Sequence, residues 1–174
     1  VAALALVGTA GSARADTVLT PGGASERGVR ITGFAQGQLQ FVDKQSGERQ
    51  NLDFAKIALI RVDGRASLNL AERMLSLGKA DEAIDAYQVA LKDASADWEK
   101  TWVRTRLLRL LAARGKIVEA VPHFVDLAQT IPDWVMQVAP AGKEIAAEPH
   151  DVRNAAAELL KALPLATSTG AREA

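Results

Sequence analysis

The side chains in this chain able to carry acid–base or nucleophilic chemistry are few, and their spacing does not favour it. There are two histidines and no cysteine. A serine or threonine nucleophile needs a base within hydrogen-bond reach, and that base is usually histidine. His123 stands beside Phe124 within a helical pattern, and His150 opens another helix. Neither has a serine, aspartate or second histidine at a meaningful spacing, so both read as helix-surface residues. Asp81 and Glu82 are adjacent rather than facing, which suits a helix N-terminus better than general acid–base work. Gly22-Gly23 and Gly33…Gly37 lack the following Lys-Ser/Thr helix of a phosphate loop. The absence of cysteine removes thiol nucleophiles, disulfides and Cys/His zinc sites. The chain therefore reads as non-enzymatic, with no metal and no cofactor implied, and the search moves to surfaces.

Composition narrows the partner. The 174 residues are 48% hydrophobic, enough for one or two small cores, and 21 Lys plus Arg balance 21 Asp plus Glu. A general nucleic-acid binder would carry a basic excess, so no nucleic acid is expected and any basic patch must be local. Residues 1–15 run from an apolar stretch, Val1 to Val7, into small residues and Ala13-Arg14-Ala15. That is the pattern of a signal-peptide remnant with its cleavage site, and it implies an exported protein of the periplasm or cell envelope. The apolar run is too short to span a bilayer.

The elements that must position any surface follow in order. Residues 16–27 (DTVLTPGGASER) are rich in Gly, Ser, Thr and Pro and read as a linker. Over 28–64 apolar and polar residues alternate, predicting strands near 28–34, 38–43, 47–52 and 57–62 with a tight turn at Asp53-Phe54-Ala55-Lys56. The last strand is apolar on both phases, which predicts burial on both faces, as in a small barrel-like module or a sheet capped by a helix.

From Ala66 the period turns helical. Leu68, Leu70, Ala71, Met74, Leu75 and Leu77 form one apolar face before Gly78, and Ala83, Ile84, Ala86, Tyr87, Ala90 and Leu91 form another after it. Shifted by 37 residues, "LGKADEAIDAYQVAL" lies over "RGKIVEAVPHFVDLA": Gly78 on Gly115, Lys79 on Lys116, Glu82-Ala83 on Glu119-Ala120, Ile84 on Val121 and Tyr87 on Phe124. Self-similarity at a fixed offset marks a helical repeat. Pro122 fits the second helix of the second unit only within its first turn. Residues 133–163 read as a degenerate third unit or a capping helix, with Pro149 at the start of a helix and Val152, Ala156, Leu159, Leu160 and Leu163 on its apolar side. The tail, 164–174, reads as disordered.

Residues 65–132 resemble tetratricopeptide repeats. The resemblance rests on Leu70, Ala71, the turn glycine, Ala83, Tyr87 and Ala90 in the first unit, and on Leu107, Leu108, Leu111, Gly115, Ala120, Phe124 and Pro132 in the second. It departs from the family where an aromatic is usual in the first helix, at Ser67 and Arg104, and the offset exceeds the usual ~34 residues. That stretch points to a three-residue extension in "DASADWEK". The β module resembles, more generically, small Sm-like or SH3-like barrels. The fold class expected is thus α+β, a barrel-like module followed by an all-α helical-hairpin array.

In the resembled repeats the first helix of each unit lines a concave groove. Carried onto this chain, the groove positions are Arg65, Asn69, Glu72, Trp102, Thr105, Arg106 and Arg109. Trp102, Arg106 and Arg109 share one helix stripe and could hold an extended peptide with an acidic group. The alternative for Trp102 is packing on the β module. The expected function is a protein-interaction adaptor for a protein or peptide. Two other readings are a structural N-terminal part of a longer cell-envelope repeat protein and an accessory domain of an enzyme.

Overall fold

The computed structural model describes residues 15–138 and 149–170. The signal-peptide pattern, apart from Ala15, and the Pro140-Ala141-Gly142 interruption lie outside the described residues. Five strands form one antiparallel sheet: β1 (Asp16–Leu19), β2 (Ser25–Ala35), β3 (Gln38–Asp43), β4 (Arg49–Asp53) and β5 (Leu59–Arg61), in the order β4-β3-β2-β1-β5. A single 3-10 turn, Phe54–Lys56, links β4 to the segment before β5. The sheet is open, not barrel-like, because β4 and β5 end on opposite edges.

Two strand assignments need correction. The segment 16–27 is not a linker: β1 sits between β2 and β5 and pairs with both. Its four residues are too short to show a period, and its first inward position is a carboxylate. Asp16 is buried, and its two oxygens accept the backbone N–H groups of Ile31 at 2.8 Å and Asp63 at 2.9 Å. Those bonds tie β1 to β2 and to the end of β5, which explains how a buried charge is tolerated there. The second correction is β5, an edge strand rather than a doubly covered one. Its double apolar phase arises because Ile57 precedes the strand, so Ile57, Ile60 and Val62 are buried while Ala58 is exposed.

Helices α1 (Ala66–Ser76), α2 (Ala80–Asp93), α3 (Asp97–Ala113) and α4 (Ile117–Thr130) form two antiparallel hairpins. Their turns repeat bond for bond at the 37-residue offset. Gly78 and Gly115 take left-handed φ values of 73° and 75°. Lys79 N–H donates to Met74 C=O and Gly78 N–H to Leu75 C=O; the matching bonds join Lys116 to Leu111 and Gly115 to Ala112. This double bond closes the orphan carbonyls of a helix C-terminus and needs a residue free of Cβ at the left-handed position.

At the 37-residue offset the start of α1 falls on Val103, so α3, which starts at Asp97, carries six further residues, Asp97–Trp102, and these run past the three-residue extension expected in "DASADWEK". Pro122 lies in the second turn of α4, not the first. It is exposed, as is Val118, whose carbonyl has no N–H donor four residues on. Pro132 starts α5 (Pro132–Val138), and α6 (Pro149–Gly170) continues through the segment read as disordered as far as Gly170. α6 packs on α4 through Ala155 and Leu159 against Ile117, Val121 and Val125, whereas Val152, Ala156 and Leu160 are exposed. The contact stripe is therefore rotated from the one the sequence suggested; the side chain of Leu163 is outside the described ones.

One core joins sheet and helices. Val18, Val29, Ile31, Phe34, Leu39, Phe41 and Ile60 cover the inner face of the sheet and continue into Leu68, Ala71, Tyr87, Trp102 and Leu107. α1 contacts β5 and α3 contacts β2, so the first helix of each hairpin is turned toward the sheet.

Candidate functional site

The positions expected to line an open groove are brought together, but most of them are turned toward the protein interior. Glu72 is 1% exposed, and Trp102 and Thr105 are fully buried. Glu72 Oε1 accepts Tyr87 Oη–H at 2.8 Å and Trp102 Nε1–H at 2.7 Å, while Oε2 accepts Ile60 N–H at 3.2 Å. Arg106 Nε lies 3.4 Å from Glu72 Oε1, yet its N–H is not aimed at the carboxylate. The contact is a charge pair rather than a hydrogen bond. Arg106 donates through Nη2 to Ala58 C=O at 2.9 Å, and its guanidinium stacks over Trp102 and Phe54 at 4.7 and 5.1 Å from their centroids.

The remaining groove positions are also engaged. Asn69 both accepts from Val62 N–H and donates to Val62 C=O, and Arg65 reaches Glu99 at 2.5 Å and Ser95 at 2.6 Å. Thr105 donates to Thr101 C=O. Arg109 alone of the seven is exposed, 6.0 Å above Phe54. The physical reason for the difference from an open groove is the sheet. Phe34 and Phe54 reach across to Trp102 at 5.5 and 5.1 Å, in edge-on geometry, and cover the face where the groove was expected.

Burial, and then the Glu72 charge, pushes the Tyr87 hydroxyl well above the ordinary phenol range. The unfolded chain gives up this proton first as pH rises past about 10. Stability linked to Tyr87 is therefore complete below that pH and lost above it. Urea midpoints should fall between about pH 9 and about pH 11, and Tyr87→Phe should flatten that fall, since Tyr87 is the only tyrosine in the chain.

Sequence reasoning missed a second constellation, which the extension builds. The first turns of α3, the β2–β3 turn and the α4–α5 corner enclose a half-open cleft of about 530 Å³. Phe34 and Trp134 form its floor, their rings 4.9 Å apart and edge-on, and Trp98, Ile131 and Pro132 form its walls. Lys100 and Arg104, one helical turn apart, bring cationic groups to one side. Lys100 pairs with the fully exposed Asp97 at 3.4 Å. Arg104 Nε lies 2.9 Å from Asp126, but its buried N–H points away and has no hydrogen-bond acceptor among the described residues. The available signal was a tryptophan inside the segment where the repeat stretches.

His123 is half-buried, and burial followed by the Arg104 charge holds its pKa below the usual range, so the ring is neutral near pH 7. His150 pairs with Asp151 at 3.1 Å on the surface. Among the described residues no three acidic, histidine or cysteine side chains are placed to hold a metal, and no helix is long and apolar enough to cross a membrane. Comparison with protein-family models, curated proteins and solved structures finds no match.

Proposed function

We propose that this chain is an exported, non-catalytic interaction module that binds a peptide segment of a protein partner. Its two hairpins are read as tetratricopeptide-like units, a reading supported by the identical C-terminal bonding at Gly78 and Gly115. In this reading the concave side of the units holds the chain's own sheet, and partner binding has moved to the cleft at the start of α3. The carrying observation is the lining of that cleft: two tryptophans, a phenylalanine, an isoleucine and a proline beside Lys100 and Arg104. A mostly apolar cavity of several hundred Å³ with a few convergent polar groups is the usual form of a binding site. Its chemistry suits an aromatic or aliphatic side chain flanked by a carboxylate, which would meet the cationic side formed by Lys100 and Arg104.

A displayed random-peptide library selected on the full chain tests this. Enriched peptides should share an apolar residue next to Asp or Glu and quench tryptophan fluorescence on binding. Trp98→Ala with Arg104→Gln should weaken them by about 100-fold, near the sum of one aromatic anchor and one charged contact. Unchanged far-UV circular dichroism would show the variant folded. Peptides that bind the folded variant as tightly as the parent would sink the assignment.

A further inference from the structure

The face of the sheet turned away from the helices carries a separate feature. Arg30 and Arg49 both stand opposite Val42, one on each side, in the rows that pair β2 with β3 and β3 with β4. Both are exposed, while their neighbours Val29, Ile31 and Phe41 point into the core. Their Cα atoms are two strand spacings apart, about 9.6 Å. The next row places Gln40 opposite Asn51, with Thr32 alongside, and these residues line an open depression of about 560 Å³ with the two arginines.

The same face continues across β1. Arg27 and Arg61 both oppose Thr17, again one on each side. Arg27 and Arg30 are three apart, which would put them on opposite faces of a regular strand. The register shift between Asp16 and Thr17, with Gly28 at φ 76°, inserts one extra residue and turns both outward. None of the four arginines has a carboxylate partner among the described residues. Of the nearby carboxylates, Asp43 accepts the Gln45 and Ser46 N–H groups and Asp53 holds Gln38 and Lys56, while Glu26 and Glu48, next to Arg27 and Arg49 in sequence, are exposed and form no ion pair with them. An electroneutral chain thus presents a local row of arginines that are in no ion pair among the described residues.

The occupant follows from what surrounds the charges. Guanidinium groups bind carboxylates in bidentate fashion, and side-chain amides and a hydroxyl suit a ligand rich in hydroxyl groups. Phe34 and Phe41, the aromatic residues of the sheet, are buried on the other side, so no ring is offered for stacking nucleic-acid bases. The arginine rows carry Val42 as their one apolar side chain, too little to enter a bilayer. We propose that this face binds an acidic polysaccharide, with carboxylates of a uronic-acid chain seated on Arg30 and Arg49. The proposal stands independently of peptide binding in the cleft.

Titration calorimetry of the full chain with oligogalacturonate at low salt is the test. Oligogalacturonate should bind, weaken as salt screens the exposed charges, and lose at least tenfold in affinity in the Arg30→Gln/Arg49→Gln variant. Both positions are exposed, and the variant should keep the parent's urea midpoint and its peptide binding. Poly-L-glutamate, an oligo-dT strand and anionic phospholipid vesicles should each bind more weakly than the uronate. Absence of uronate binding, equal binding by the folded variant, or tighter binding of any of those three probes overturns the proposal.

Discussion

Glu72→Ala should lower the unfolding free energy by about 3–5 kcal/mol, the usual effect of removing one partner from a buried charge pair. The total stability of a domain is about 5–15 kcal/mol, so this single change should remove a large share of it. The carboxylate accepts from three donors drawn from three elements: Ile60 N–H in β5, Tyr87 Oη–H on α2 and Trp102 Nε1–H on α3. Alanine strands all three and leaves the half-buried Arg106 without its counter-charge. Glu72→Gln should cost less, because the amide oxygen can still receive Tyr87 and Trp102. Its NH₂ would then face Ile60 N–H and lose that bond. In a double-mutant cycle, Glu72→Ala with Arg106→Ala should destabilise by clearly less than the two single changes added, since the second removes the charge stranded by the first. Urea unfolding followed by tryptophan fluorescence reads all four proteins. Additive losses would mean that the two charges do not act as a pair.

Gly37→Ala is the second change expected to have a large effect. A Cβ at this position would lie 1.9 Å from Trp134 Nε1, and the residue has φ 75°. Two costs combine: about 1–2 kcal/mol for a left-handed alanine and about 1–3 kcal/mol for overpacking against a ring held on both sides. Trp134 is wedged between the hairpin turn and Phe34 and Phe54, so it has to leave its place on the cleft floor. Gly47 is the control. It has nearly the same φ, 74°, but nothing within 4 Å of an added Cβ. Gly47→Ala should therefore show only the backbone cost, and the difference between the two variants measures the contact with Trp134. Equal losses at the two positions would place Trp134 off the turn.

What was legible in the chain is what local bonding decides. The hairpin turns could be read from Gly78 and Gly115 because a helix C-terminus is closed by residues within a few positions of the glycine. β3 was read with its observed bounds, since strict alternation and a flanking turn are local signals. The start of α6 at Pro149 follows from the same kind of signal. β1 was not legible. Asp16 is inward because of acceptor bonds to Ile31 and Asp63, and nothing within DTVL announces partners so distant in sequence.

The helical period places Trp102 and Arg106 on one stripe, together with Arg109, and that much the sequence by itself determined. Whether the stripe met solvent, a peptide or another part of the chain was left to tertiary structure. Phe34 and Phe54 come from strands and turns far earlier in the chain, and their packing converts an anticipated binding face into core. The same packing leaves the extension of α3, with Trp98, Lys100 and Arg104, to form a cleft at the rim. A repeat pattern reports which residues share a face because backbone geometry is periodic. What covers that face depends on contacts between distant segments, and these have no period to read.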